Sequence, residues 1–351
     1  MYLVMYMALL SLAIYDVFVE SNESDKSNEE LKEKIFIGVN ILLVIIASLR
    51  HYIGTDYGTY VEIFNGIHSI NDYSYLEIGF RFIIVLIKTV THNSNWLFVV
   101  MAAISIYYLY KGIKESSKKP LVSIFIYFNI FYIGYIFNAM RQGFAMSIFL
   151  YSLKYFKAKD LKKIIILSII ASTIHSSGLY ILLAYVLKYV KIEKKLYPYI
   201  VGVGVILCLF NPFEFIITNI PIPVIREKFM VYSQYSENIG LVSIAQRLII
   251  LVLLIINNDK LEDEEDRSIL NIYIWGWILY CILSFDGVIT TRVNMFFRVL
   301  EVILLPNLIN KIDDIKMKKL IYVFIVLWTL ATLFINLRNP DNFPYKIINL
   351  I

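Results

Sequence analysis

"LVSIFIYFNIFYIGYIF", residues 121–137, contains no charged side chain and no proline. A bilayer's hydrocarbon takes about 20 predominantly apolar helical residues to cross, and with its neighbours this stretch is long enough. Comparable apolar runs cover residues 1–19, 35–49, 96–110, 164–174, 179–190, 197–217, 241–256, 269–285, 299–309 and 320–335. Residues 139–156 form another if their polar start is allowed, and residues 76–90 another despite Arg81 and Lys88. In lipid each backbone N–H and C=O must find its partner within the segment, so helix is the spanning form. Alternating ten-residue strands are absent, which argues against a barrel. The fold class read from the sequence is all-α: a polytopic integral membrane helical bundle with roughly 11–14 transmembrane helices.

The composition agrees. The chain of 351 residues is 59% hydrophobic and 17% charged, whereas a soluble domain is about half apolar and about a quarter charged. No stretch between the runs is long enough for a soluble domain and no internal repeat is found, so residues 1–351 read as one transmembrane domain. The loop 219–240, with Pro221 and Pro223, reads as an outer interfacial flap. Residues 1–19 have no basic leader and no small-residue cleavage site, and read as a retained helix. Cys208 and Cys281 fall within apolar runs and read as buried small hydrophobes. The net charge of +5 is spread over connecting loops, as orientation by charge predicts, and nucleic acid is not an expected partner. Nucleotide-loop, zinc-protease, nucleophile-elbow and Cys-rich metal motifs are all missing, so no metal or cofactor is expected.

Lysine and arginine gather in "KGIKESSKKP" (111–120), "KYFKAKDLKK" (154–163) and "KYVKIEKK" (188–195). The charge bias places these connections in the cytoplasm. The intervening turns, "NAMRQ" (138–142) and "STIHSS" (172–177), then face outward, which puts Arg141 and His175 at one membrane level. Further along, "SFDGVITTR" (284–292) faces out and "NKIDDIKMKK" (310–319) faces in. Counting back two helices from Lys111 puts "RHYIGTDYGTY" (50–60) inside, unless part of residues 61–70 dips into the membrane or a crossing is miscounted.

Charges at membrane depth cost about 2.5–3.5 kcal/mol on insertion scales and usually face a cavity or a partner. Arg141 could snorkel to the interface. Asn138, Arg141 and Gln142, however, sit at i, i+3 and i+4, one face of a helix. A helix start carrying an arginine suits an anion, because the dipole and the guanidinium act together, and a guanidinium matches phosphate oxygens bidentately. His175, bracketed by Ser172, Thr173, Ser176 and Ser177, is either a hydrogen-bonded structural residue or a proton carrier near neutral pH. In "TTRVNMFFRVL" (290–300), Arg292 reads as an edge residue. Arg298 lies six residues deeper, where an edge position does not account for it. In "GTDYG", Asp56 either caps the next helix or is presented to a cavity by the flanking glycines.

The ordered set "RHYIGTDYGTY", "FNAMRQGFAMSIFLYSLKYF", "ASTIHSSGLYIL" and "TTRVNMFFRVLEVILLP" resembles the EpsG family of Wzy-type polysaccharide polymerases over nearly the whole chain. The resemblance implies a bacterial inner-membrane, metal-independent glycosyltransferase with which a GT-C-like architecture is compatible. Such an enzyme joins undecaprenyl-diphosphate-linked repeat units into O-antigen, capsule or exopolysaccharide at the outer leaflet. It uses those units as donor and acceptor, with membrane lipid around it and a chain-length regulator as a further partner. It also implies one outward cavity holding the four patterns. Asp56 and His175 are then the catalytic candidates. Arg50, Tyr57, Asn138, Arg141, Gln142, Arg292 and Arg298 are the substrate-binding candidates, the arginines for the diphosphate. Three rival functions share some of these features. A membrane acyltransferase would use His175 on an acyl donor, a flippase would move the same lipid-linked units, and a ligase would change only the acceptor.

Overall fold

The computed structural model describes residues 1–19, 26–210 and 239–347, with isolated positions between 219 and 227. The expected flap at 219–240 therefore lies mostly outside the described residues. Among these residues the chain is helical throughout, and its one β contact is an isolated antiparallel bridge between Arg50 and Ile347. Its own contacts divide it into two compact units, Met1–Leu182 with Glu301–Ile351, and Leu183–Leu300.

Three described helices are long and apolar enough to cross a membrane: Asn95–Ser116, Pro120–Asn138 and Ile315–Leu337. Tyr2–Phe18, Ser176–Leu187 and Leu241–Ile256 are apolar but shorter. This is fewer than the expected 11–14, for two reasons. Met140–Ala158, Lys26–Ser48 and Glu264–Ile282 are long enough but carry several charges. Other apolar runs fold, among the described residues, into helices of at most 17 residues.

In the first unit, α1 (Tyr2–Phe18), α2 (Lys26–Ser48), α5 (Asn95–Ser116), α7 (Met140–Ala158) and the helices Glu301–Asn310 and Ile315–Leu337 surround the central span Pro120–Asn138, which begins as α6 (Pro120–Tyr127), and α8 (Leu161–Ile174) packs on α7. Of that span's apolar window 89% lies inside the protein, which makes it the core of the unit rather than a lipid-facing helix. From Phe128 to Asn138 it is wound as a π-helix, a form that is rare beyond a single turn and often found near functional sites. It ends where the N–H of Ala139 bonds the Gly134 carbonyl at 2.9 Å. The chain then reverses at once into α7. Gly143 permits the reversal, since a Cβ there would lie 1.8 Å from the Tyr135 carbonyl oxygen.

The two ends of this unit differ in chemistry. At one end Lys32 lies 3.9 Å from Asp16, Lys154 lies 3.6 Å from Glu115, and Lys114 pairs with Glu33. Asn307 bridges there too, accepting from the N–H of Lys118 at 2.7 Å and donating to the Ser116 carbonyl at 3.0 Å. The basic connections 111–120 and 154–163 thus share an end, as their charge predicts. At the other end the Tyr2 hydroxyl donates to the Asn342 carbonyl at 2.8 Å and the Tyr345 hydroxyl to the Ile46 carbonyl at 2.6 Å.

The segment 50–60 sits at this second end, which corrects the count from charge. The run 76–90 is apolar enough in sequence for a full crossing, yet it forms only α4, Ile78–Lys88, of 11 residues. At about 1.5 Å per residue it covers about half of a hydrocarbon layer about 30 Å thick. The preceding helix α3, Tyr57–Gly66, has 10 residues. Their far ends meet where Lys88 Nζ donates to the carbonyls of Ile67, at 2.6 Å, and Asn65, at 3.1 Å. The chain enters and returns on one side, so α5 is the only full crossing between the 50–60 loop and Lys111.

The second unit contains α9 (Tyr180–Leu187) in its larger part, α10 (Tyr197–Leu209), α11 (Leu241–Ile256), α12 (Glu264–Ile282) and α13 (Gly287–Arg298). Asn271 fixes the basic turn after α9, accepting from the N–H of Ile192 at 3.0 Å and donating to the Leu187 carbonyl at 2.9 Å. Gly204 lets α10 approach α12, because a Cβ there would lie 2.5 Å from the Trp277 indole nitrogen.

Candidate functional site

Arg141 lies in the first turn of α7, half-buried, as expected for a guanidinium at a helix start. Its Nη1 pairs with Glu77 Oε2, and its guanidinium carbon stands 5.3 Å from the centre of the Phe80 ring. Its Nε is buried without a hydrogen-bond partner, so the guanidinium uses only part of its donor capacity. Glu77 is the residue immediately before α4. Its Oε2 holds Arg141 and its Oε1 accepts the backbone N–H of Ser176 at 2.9 Å. One carboxylate thus joins the start of α7 to the turn that carries His175. The loop leading to Glu77 is held by Asp72, which accepts the N–H groups of His68 and Ser69, each at 2.7 Å. Those backbone donors keep the Asp72 carboxyl below the usual carboxylate range.

His175 follows the last residue of α8. Its Nδ1 contacts Ser177 Oγ at 2.8 Å and accepts the N–H of Ser177 at 3.2 Å. A backbone N–H can only donate, so the neutral ring carries its proton on Nε2. Ser168 Oγ closes the turn on the Gly178 carbonyl at 2.9 Å.

Asp56 occupies the position before α3 but makes no capping hydrogen bond. Its carboxylate accepts from Thr55 Oγ1 at 3.2 Å and is half-buried. The purely structural reading, a helix cap, is therefore not realised. Tyr60, 5% exposed one turn along α3, lies within hydrogen-bonding reach of Arg141 and in the Coulombic field of Asp56. The structure brings Asp56, Arg141 and His175 to the same end of the first unit, with Tyr60 and Glu77 between them.

Other candidates are engaged differently. Arg50 is 1% exposed, sandwiched between the rings of Phe98 and Phe137 at 4.6 and 4.7 Å. It donates to the carbonyls of Ala47, at 3.0 Å, and Phe137, at 3.2 Å. Burial pulls its pKa down to about 10, so it still holds its charge at neutral pH. Arg50 organises the loop from within and does not present itself to a substrate. Tyr57 is also buried, stacked on Phe98 at 4.4 Å with its hydroxyl 3.1 Å from Asn95 Oδ1. Asn138 is the last residue of the π-helix, not a member of α7, and Ala139 breaks the expected stripe. Its Oδ1 accepts the N–H of Thr55, and Gln142 is 3% exposed.

Arg292 and Arg298 both lie on α13 of the second unit but in different surroundings. Arg292 is exposed, whereas Arg298 is 5% exposed and lines a small cavity with Arg247, Asn294 and Trp277. Arg247 was not among the sequence candidates. It is 7% exposed, with Nε on Asn294 Oδ1 at 2.6 Å and its guanidinium over Tyr280 at 4.7 Å. Glu77 was missed too, as a flank of an apolar run. The signal available was its charge, opposite to that of Arg141. Among the described residues no group of three or more His, Cys, Asp or Glu side chains is placed to hold a metal ion.

The family model of the EpsG family matches residues 34–347. The chain belongs to the EpsG family. This is a Wzy-like polymerase family, and membership makes the chain a helical membrane protein of the polysaccharide-polymerase type. No curated protein and no solved structure matches it. The EpsG match spans both units and includes each candidate residue named above.

Proposed function

We propose that this EpsG-family protein polymerises undecaprenyl-diphosphate-linked oligosaccharide repeat units at the outer leaflet of the bacterial inner membrane, as a metal-independent glycosyltransferase of GT-C-like architecture. The observation that carries the reading is the convergence of Arg141, Asp56 and the His175 turn at one end of a unit whose opposite end holds its basic connections. Basic connections stay in the cytoplasm, so the Arg141 end faces out, where lipid-linked units are displayed.

In this reading the acceptor hydroxyl oxygen attacks the anomeric carbon of the donor. The bond from that carbon to the diphosphate oxygen breaks, and undecaprenyl diphosphate leaves with the electron pair. Arg141 binds the diphosphate and stabilises the charge that develops on it, the kind of electrostatic term that is usually largest. Asp56 takes the hydroxyl proton. It is preferred over His175 because the Ser177 N–H already occupies His175 Nδ1. His175 orients the turn whose Ser176 N–H holds Glu77. Arg292 and Arg298 are assigned to the diphosphate by their chemistry alone.

The test is deletion of the gene followed by gel analysis of the surface polysaccharide. Collapse of a ladder to a single repeat unit, restored by the wild-type gene, supports polymerisation. An unchanged ladder, or loss of an ester with chain length intact, overturns it in favour of a modifying enzyme.

A further inference from the structure

We propose that Glu77 is the resident counter-ion of the donor site: it holds Arg141 and yields it to the diphosphate of the lipid-linked donor, and thereby sets donor affinity. The inference rests on the polymerase reading above and deepens it. Four features carry it. First, Glu77 Oε2 engages Arg141 through a single nitrogen while Arg141 Nε stays buried without a partner. A phosphate can take two guanidinium nitrogens at once, a better match than this one-point contact. Second, Glu77 has somewhere to remain, because its Oε1 accepts the Ser176 N–H at 2.9 Å through a contact that does not involve Arg141. Third, the carboxylate is not needed where it stands for helix capping, since Glu77 precedes α4 without a side-chain cap bond. Fourth, a lone arginine at membrane depth is costly. A carboxylate neutralises it until a more highly charged anion competes.

A plain staple between α4, α7 and the α8–α9 turn is the alternative, and the two roles predict opposite results. Glu77→Gln keeps the size of the side chain and its acceptor for Ser176 but removes the competing charge. The experiment measures binding of undecaprenyl diphosphate to the purified full-length protein in nanodiscs, for wild type, Glu77→Gln, Arg141→Gln and the double variant. We expect Glu77→Gln to bind about tenfold more tightly than wild type, and both Arg141 variants to lose binding. Unchanged or weaker binding in Glu77→Gln, with binding still dependent on Arg141, overturns the counter-ion role and leaves the polymerase reading standing. Binding that Arg141→Gln leaves intact removes the assignment of Arg141, and the counter-ion role with it.

Discussion

Asn138 Oδ1 accepts the backbone N–H of Thr55 at 3.0 Å across 83 residues of sequence. The contact fixes the Asp56 loop to the end of the π-helix, one short break before Arg141. Gly54 makes it possible: its φ is +107°, and a Cβ there would lie 2.5 Å from the same Asn138 oxygen. Gly54→Ala therefore meets both a backbone conformation that L-residues avoid and a clash. We expect it to displace Asp56 and shorten the polysaccharide ladder while the protein still inserts. A ladder of normal length would show that the loop's position is unimportant.

Asp56→Asn is expected to lower polymerisation by about 10²–10⁴-fold, the usual contribution of a general base. Because Asp56 makes no capping bond, the thermal midpoint of the purified protein should stay within a few degrees of wild type. His175→Gln should cost much less activity. In vitro extension of a lipid-linked repeat unit, run beside a melting curve, separates these outcomes. A large activity loss only in the histidine variant would reverse the assignment.

Arg141→Lys retains a charge but loses the planar fork that grips two phosphate oxygens. One charge-assisted hydrogen bond is worth about 1.5–3 kcal/mol, so polymerisation should fall about 10–100-fold. Complementation of a null strain, scored by modal chain length, measures it. Full chain length in the lysine variant would exclude bidentate phosphate binding.

Arg50→Met tests the buried arginine. It leaves the carbonyls of Ala47 and Phe137 without their donor, at a cost of about 1–3 kcal/mol for each group left unsatisfied. The expected result is a lower melting temperature together with lost activity. A stable protein that has lost only donor binding would return Arg50 to the substrate.

Gly143→Ala should be among the most damaging single-carbon changes, since the new atom meets backbone rather than a movable side chain. Gly134→Ala, on the preceding helix, has nothing within 4 Å of the added carbon and should be tolerated. Comparing the two melting curves isolates the helix reversal from general glycine effects.

The apolar runs were legible because hydrophobicity is local, and 121–137 reads as a span and lies in a helix long and apolar enough to be one. What the sequence hid were lengths and breaks. Residues 76–90 are apolar enough to span, but helix begins only at Ile78 and stops at Lys88, whose ammonium turns back to Ile67. Spacing put Asn138 and Arg141 on one stripe, and a single residue, Ala139, separates them into two helices. The Arg141–Glu77 pair spans 64 positions, and periodicity carries no information about partners so remote. Arg50 reads from the resemblance as a substrate-binding residue. Only the rings of Phe98 and Phe137, far away in sequence, show that it is enclosed.

The Asp56 loop is also gripped from behind by late parts of the chain. The N–H of Gly54 bonds the Asp341 carbonyl at 2.8 Å, and that of His51 bonds the Lys346 carbonyl at 3.0 Å. During synthesis these partners leave the ribosome almost three hundred residues after the loop they hold, with the whole second unit inserted in between. Every nascent chain therefore carries the Asp56 loop without this rear grip through most of its own translation, and a stop codon shortly before Asp341 would leave the spans in place with the loop held from the Asn138 side alone.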